Sequence, residues 1–141
     1  MEKISVIIPC YGSEHTITEV VEELTQTLAT RTEYSYEIIL VNDGSPDQVY
    51  KVITTLGEEN KNIKGINLAK NFGQHAALMT GFNYATGDII VVLDDDGQTP
   101  ANEMFLLIDK INTGVDLVFA KYYKKQHNIF RNMGSKLNDL M

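Results

Sequence analysis

Ile89-Ile90-Val91-Val92-Leu93-Asp94-Asp95-Asp96-Gly97-Gln98 is the stretch that decides the fold. Five apolar residues, mostly β-branched, run without a break into three carboxylates. A strand wetted on one face alternates apolar and polar residues, whereas an unbroken run marks a strand covered on both faces, as parallel sheets are. The change at Asp94 marks where that buried strand leaves the sheet.

Working outward, strand and helix signals alternate. Ile4-Ser5-Val6-Ile7-Ile8, ended by Pro9, reads as a first strand. Thr16-Ile17-Thr18-Glu19 reads as a capping box, opening a helix with Ile17, Val20, Val21, Leu24 and Leu28 on one face. Tyr36 to Val41 is a second strand. Ser45-Pro46 reads as a cap followed by a proline at the first helical position, opening a helix with Val49, Val52, Ile53 and Leu56 inward and Gly57 as its stop. Ile63 to Leu68 is a third strand, and Gln74 to Ala85 a helix with Gly87 just beyond it. After the 89–93 strand, Thr99-Pro100 repeats the cap-plus-proline device. The helix there buries Phe105 or Met104, Leu107, Ile108 and Ile111 and stops near Gly114, and Val115 to Ala120 is a fifth strand.

Strands alternating with helices predict an α/β fold, a mainly parallel sheet with helices on both faces. Right-handed crossovers make it doubly wound. Residues 1–120 read as one domain. Residues 121–141 carry a weak helical pattern in Ile129, Phe130, Met133, Leu137 and Leu140 with no strand to follow, as expected for the start of an unfinished region.

Composition narrows the function classes. Of the 141 residues, 1–120 carry 7 Lys/Arg against 18 Asp/Glu, a net −11, and 121–141 carry 5 against 1, a net +4. An acidic body argues against nucleic-acid binding. The basic tail reads either as a contact for an anionic surface or as a solvated end. The single Cys10 excludes an internal disulfide and points to a reducing, cytoplasmic setting. Met1-Glu2-Lys3 leads straight into a strand, so no signal peptide is expected. The longest apolar run, Ile89 to Leu93, is far short of the roughly 20 residues of a membrane span.

Ligands of open parallel sheets bind beyond the carboxyl ends of the strands. Polar residues concentrate at those ends: Pro9-Cys10-Tyr11, Asn42-Asp43-Gly44-Ser45, and Asp94 to Gln98. If the first and fourth strands flank the switch point, all three sets face one crevice. Asp94 and Asp96 lie two apart and project to one side of an extended chain. Two ionised carboxylates there need a counter-ion or a raised pKa. A Mg²⁺ or Mn²⁺ ion fits, since such ions take one or two carboxylates plus substrate phosphates, and Gln98 can add a carbonyl oxygen. The alternative is a polar turn with acids at a helix N-terminus. Asp43 reads either as a turn former or as an acceptor for a base N–H or ribose hydroxyl. Tyr11 reads as a base-packing ring or a loop aromatic. Lys70, in Lys70-Asn71-Phe72-Gly73, reads as a diphosphate contact or an exposed lysine. His15, His75 and His127 lack metal-ligand spacing. Gly-rich phosphate loops and a nucleophile elbow are missing.

Taken together, Val6 to Tyr11, Val41 to Asp47 and Leu93 to Gln98 resemble family 2 glycosyltransferases with the GT-A fold. Leu68-Ala69-Lys70-Asn71-Phe72-Gly73-Gln74-His75-Ala76-Ala77-Leu78 resembles the polyprenyl-phosphate branch of that family. Gln98-Thr99-Pro100 is similar to that branch too, although an Asp is usual where this chain has Thr99. The resemblance implies that Asp94, Asp96 and Gln98 surround the metal. It implies that Pro9, Tyr11, Glu14 and Asp43 line the nucleoside pocket, with Lys70, Asp94 and Asp95 also on the nucleotide side. The implied reaction moves a sugar, with inversion, from a UDP- or GDP-linked donor to an acceptor such as polyprenyl phosphate, at the cytoplasmic membrane surface. Gly12 stands where an Asn is common and Gly97 where an apolar residue is common, which leaves the donor's identity open. Family catalytic domains run past residue 141, and in many the later half carries the base. A phosphate monoester acceptor, with a second pKa of about 6, needs none. Two other readings stand beside this one: an acid pocket for phosphotransfer or phosphatase chemistry, and a non-catalytic module that binds nucleotide or a membrane partner.

Overall fold

The computed structural model describes residues 1–98, 100–111 and 117–119, with backbone only for Ile111 and 117–119. The elements alternate as β1 (Glu2–Cys10), α1 (Ile17–Ala29), β2 (Tyr34–Asn42), α2 (Val49–Glu59), β3 (Ile63–Asn67), α3 (Gln74–Tyr84), β4 (Ile89–Val92), α4 (Glu103–Ile111) and β5 (Leu117–Phe119). Among the described residues they form a five-stranded sheet in the order β3-β2-β1-β4-β5, with every pairing parallel. The chain winds outward one way from β1, then returns to β1's other side with β4. The register Ile4↔Ile89 to Ile7↔Val92 places β1 and β4 side by side, so the expected switch point is there. The 121–141 segment and the expected stop at Gly114 lie outside the described residues.

Central strands must be apolar on both faces, and β1 is buried from Ile4 to Cys10. Ile4, Val6, Ile8 and Cys10 point into the larger core, shared with Ile38 and Leu40 of β2 and Ile89 and Val91 of β4. This face is covered by α1, α2 and α4, whose buried side chains include Leu24, Ile53, Met104 and Ile108. Truncating any one of these to Ala would cost roughly 2–5 kcal/mol. Ile7, Ile39, Val41 and Val92 point the other way and meet α3 through Ala77. A Cβ at Gly81 would come within 2.5 Å of Ile7 Cγ2, so the small residues at 77 and 81 let α3 lie close to the sheet. In α1 the buried residues are Ile17, Val20, Val21, Leu24 and Leu28, the five on the expected face. In α4, Met104 and Phe105 are both buried.

Three terminus signals resolve differently. Thr16 is the N-cap of α1, but its side chain makes no cap hydrogen bond. Its hydroxyl donates instead to the Asp95 carbonyl at 2.8 Å, a partner 79 residues away that no local pattern reveals. The second helix begins at Val49, after Gln48, with no side-chain cap. Ser45 is occupied in a loop contact, and Asp47 Oδ1 accepts the Val49 N–H at 3.1 Å. Gly57 does not stop α2, which runs on to Glu59.

A buried ionic knot sits at the amino-terminal end of the sheet. Glu37 in β2 is 2% exposed. Its Oε2 accepts the Ser5 hydroxyl at 2.6 Å, the Thr86 N–H at 2.7 Å and the Thr86 hydroxyl at 3.0 Å. Its Oε1 takes Lys64 Nζ at 2.8 Å, with Lys3 Nζ at 3.6 Å. Ser5 Oγ in turn accepts the Gly87 N–H at 2.8 Å. Burial alone would raise the Glu37 pKa, but the hydrogen bonds from Lys64, Ser5 and Thr86 outweigh it and bring it to about 2. The knot joins β1, β2, β3 and the approach to β4, far from the polar loops at the opposite end. No helix among the described residues is long and apolar enough to cross a membrane.

Candidate functional site: the loops at the carboxyl end of the sheet

The loops that follow β1, β2, β3 and β4 meet at one end of the sheet and are tied to one another by side chains. The loop after β4 holds the loop after β1: Asp95 Oδ2 accepts the Tyr11 N–H at 2.9 Å, and its carbonyl accepts the Thr16 hydroxyl. Tyr11 itself is 52% exposed, so its ring faces solvent beside that bond. Pro9 is buried within β1, paired with Val41.

The loop after β2 holds the loop after β1 from the other side. Ser45 Oγ accepts the Gly12 N–H at 2.7 Å and donates to Asp47 Oδ1 at 2.6 Å. Asp47 Oδ2 accepts the Glu14 N–H at 3.1 Å. Burial pushes the Asp47 carboxyl up, but the hydrogen bonds from Ser45, Glu14 and Val49 prevail and hold it below its ordinary value. Gly12 has φ +69° with open space around its absent Cβ. Left-handed backbone suits Gly, and Asn more than other side chains, so Gly12 fits this turn without strain.

The loops after β2 and β3 form a second joint. Asp43, 4% exposed, accepts the N–H groups of Phe72 at 3.0 Å and Gly73 at 3.3 Å through Oδ1. Gly73 is the N-cap of α3, so this carboxylate supports a helix start from another loop. Gly44, at φ +62°, lies against the backbone of Lys70 and Asn71, where a Cβ would overlap. Asn42 Nδ2 donates to Asn67 Oδ1 at 2.8 Å, and Asn42 Oδ1 accepts the Ser45 N–H at 3.1 Å.

In the fourth loop, Asp94 is half-buried, whereas Asp96 and Gln98 are exposed. Asp96 Oδ1 accepts the Gln98 N–H at 3.0 Å. Among the described residues no three His, Cys, Asp or Glu side chains cluster to hold a metal ion. Lys70 is exposed, with Nζ 5.2 Å from the centre of the Phe72 ring. Cys10 is fully buried beneath these loops. Burial, with the carboxylates of Asp95 and Asp47 adding to it, pushes its thiol well above the usual value. It therefore stays protonated and is no nucleophile.

The structure thus brings Tyr11, Glu14, Asp43 and Asp95 into one linked set of loops, with Asp94, Asp96 and Gln98 on the same rim. Sequence reading missed Thr16, Asn42, Ser45 and Asp47 as its fasteners. Their signal was in view, since Asn42, Ser45 and Asp47 flank Asp43 in one turn, but a turn and a fastener have the same local pattern.

A family model described as "Glycosyl transferase family 2" matches residues 5–139. The chain belongs to glycosyl transferase family 2. Within the family, it is 36% identical over 138 residues to the undecaprenyl-phosphate 4-deoxy-4-formamido-L-arabinose transferase of Klebsiella pneumoniae, covering 97% of this chain and 42% of the relative. The chain thus spans less than half the length of this curated relative. Among solved structures, S. aureus TarS 1–349 in complex with UDP-GlcNAc is 29% identical, with a TM-score of 0.59 over 79% of this chain and 31% of TarS. The mannosyltransferase PcManGT of Pyrobaculum calidifontis, solved with GDP-Man and Mn²⁺, is 24% identical, with a TM-score of 0.64 over 74% of this chain and 30% of that one. These neighbours are GT-A glycosyltransferases, and the parallel α/β sheet described above is their fold.

Proposed function

We propose that this chain is the nucleotide-sugar-binding part of a glycosyltransferase that moves a sugar from a UDP- or GDP-linked donor to polyprenyl phosphate. The observation that carries this reading is the joint between Asp95 and Tyr11, which sets the Asp94–Asp96 turn beside the β1 loop at the β1–β4 switch point. The name of the Klebsiella relative supports the acceptor class, and the UDP-GlcNAc complex of TarS supports the donor class.

Residues 1–120 serve as the donor-binding unit and 121–141 as the start of an acceptor region whose basic residues contact a cytoplasmic membrane surface. Tyr11, held by its backbone, offers its ring to the base. Pro9, Glu14 and Asp43 line the nucleoside side, and Lys70 lies toward the diphosphate. Asp94 and Asp96, with Gln98, hold Mg²⁺ or Mn²⁺. The donor set suits such an ion only in part, because two carboxylates leave most positions to be filled by diphosphate oxygens and water. Cation and nucleotide should therefore bind together. Held by Asp94, Asp96 and Gln98, such a cation would supply positive charge toward the nucleoside diphosphate leaving group. The acceptor phosphate is ionised at neutral pH and attacks without a base from this chain.

Membership of family 2 removes the ground for the phosphotransfer reading. The test is a thermal-shift series with UDP, GDP, CDP and dTDP, each with Mn²⁺ and with EDTA. One nucleotide should raise the melting temperature with Mn²⁺ and lose that effect in EDTA; a ligand at 100 times its Kd adds about 2.7 kcal/mol. If none of the four shifts the transition, the donor-binding assignment is wrong.

A further inference from the structure

We infer that Ser45 and Asp47 are positioning residues that set the donor-binding loop Tyr11–Glu14 without touching the ligand. The inference rests on the donor-binding reading above and names a device within that site. The β1 loop leaves the sheet at Cys10 and re-enters regular structure at Ile17. Over that span its backbone is gripped at three N–H groups. Asp95 takes Tyr11, Ser45 Oγ takes Gly12 and Asp47 Oδ2 takes Glu14. Two of the three grips come from one turn. Ser45 and Asp47 are themselves locked together at 2.6 Å, and Asp47 is anchored to α2 through the Val49 N–H at 3.1 Å.

The chemistry suits a rigid fastener. Asp47 accepts three hydrogen bonds and donates none. Ser45 has to accept from Gly12, because its own proton is committed to Asp47. The direction of every bond in the chain Gly12–Ser45–Asp47–Glu14 is therefore set. Gly12, with open space around its absent Cβ, adds no side-chain packing, so at that position the backbone bond to Ser45 is what holds the chain. A loop held in its bound shape binds without first losing that freedom. Releasing it weakens binding while leaving the groups that touch the ligand intact.

The experiment uses the 141-residue chain and its Ser45→Ala, Asp47→Asn and Ser45→Thr variants, with Glu37→Gln as a control that loosens the far end of the sheet. Two quantities are read: the Kd for UDP and for GDP in the presence of Mn²⁺ by calorimetry, and hydrogen exchange of the Gly12 and Glu14 amides by NMR. Ser45→Ala removes the bonds to Gly12 and to Asp47, and Asp47→Asn removes the charge behind its grips on Ser45 and Glu14; each should weaken nucleotide binding by about 5- to 20-fold. The two amides should exchange faster in those variants. Ser45→Thr, which keeps the hydroxyl, should stay near wild type, and Glu37→Gln should keep wild-type affinity despite its lower stability. Unchanged affinity with faster exchange overturns the inference and leaves the donor-binding reading standing. Unchanged exchange overturns it as well. If the wild-type chain binds neither nucleotide, the functional reading fails, and the exchange data alone judge whether the fastener holds the loop.

Discussion

Asp95 accepts the backbone N–H of Tyr11 at 2.9 Å, joining loops 84 residues apart in sequence. The middle carboxylate of the acidic triplet is thus committed within the protein, while its neighbours Asp94 and Asp96 occupy the rim. Asp95→Ala should lower stability by about 1 kcal/mol, the usual worth of one such bond, in urea unfolding. Asp95→Asn keeps an acceptor oxygen and should recover most of that loss. Equal losses in the two variants would mean that the charge, rather than the bond to Tyr11, is what matters.

Asp94→Asn and Asp96→Asn should behave differently. Each removes a carboxylate assigned to the cation. Nucleotide binding that depends on Mn²⁺ in wild type should fall at least about tenfold, or roughly 1.4 kcal/mol, and the difference between Mn²⁺ and EDTA should shrink. Stability without ligand should change little in Asp96→Asn, whose amide oxygen can still accept the Gln98 N–H. Mn²⁺ alone should bind wild type weakly in calorimetry and tightly only when a nucleoside diphosphate is present. Tight binding of Mn²⁺ by itself would contradict a site completed by the ligand's oxygens.

Glu37 gives the pH dependence. Its folded pKa of about 2 lies below the ordinary 4.5, so its ionised form favours the folded state. That contribution is fully present above pH 4.5 and is lost as pH falls through 2. With Lys64 half-exposed, it amounts to about 2–3 kcal/mol. Glu37→Gln should therefore be clearly less stable than wild type in urea at pH 7, and the gap should narrow steadily in titrations toward pH 2. A gap independent of pH would show that packing, not ionisation, sets the value of this residue.

Gly44→Ala tests the joint between the loops after β2 and β3. The position has φ +62°, and a Cβ there overlaps the Lys70 and Asn71 backbone. Backbone cannot turn aside as a flexible side chain can. The variant should lose about 2–4 kcal/mol of stability and free the Phe72 and Gly73 amides to exchange. A loss below about 0.5 kcal/mol, the level of an ordinary surface change, would mean that the 70–73 loop yields readily.

Most of the fold was legible because it rests on local periodicity. The unbroken run at Ile89 to Leu93 announced a strand covered on both faces, and the five buried residues of α1 lie at the spacing that one helical face demands. Helix ends were less legible. Thr16 and Ser45 both look like caps, but the Thr16 hydroxyl donates to the Asp95 carbonyl in another loop, and Ser45 Oγ donates to Asp47 in its own turn while accepting the Gly12 N–H from the loop after β1. Glu37 gave no signal at all: a lone glutamate in a strand looks solvated until Lys64, Ser5 and Thr86 close around it.

By itself, the sequence determined the order of strands and helices, the parallel sheet and the rim at which Asp43 and Asp94 to Asp96 emerge, since all of these follow from side-chain pattern within short windows. Only the tertiary structure decided which partners Asp43 and Asp95 hold there. Whether Asp95 takes the Tyr11 amide, and whether Asp43 only shapes its own turn or also supports α3, depends on which loops meet. That is settled by the β3-β2-β1-β4-β5 order of the sheet, which brings carboxylates to backbone groups 29 to 84 residues away that no local pattern pairs.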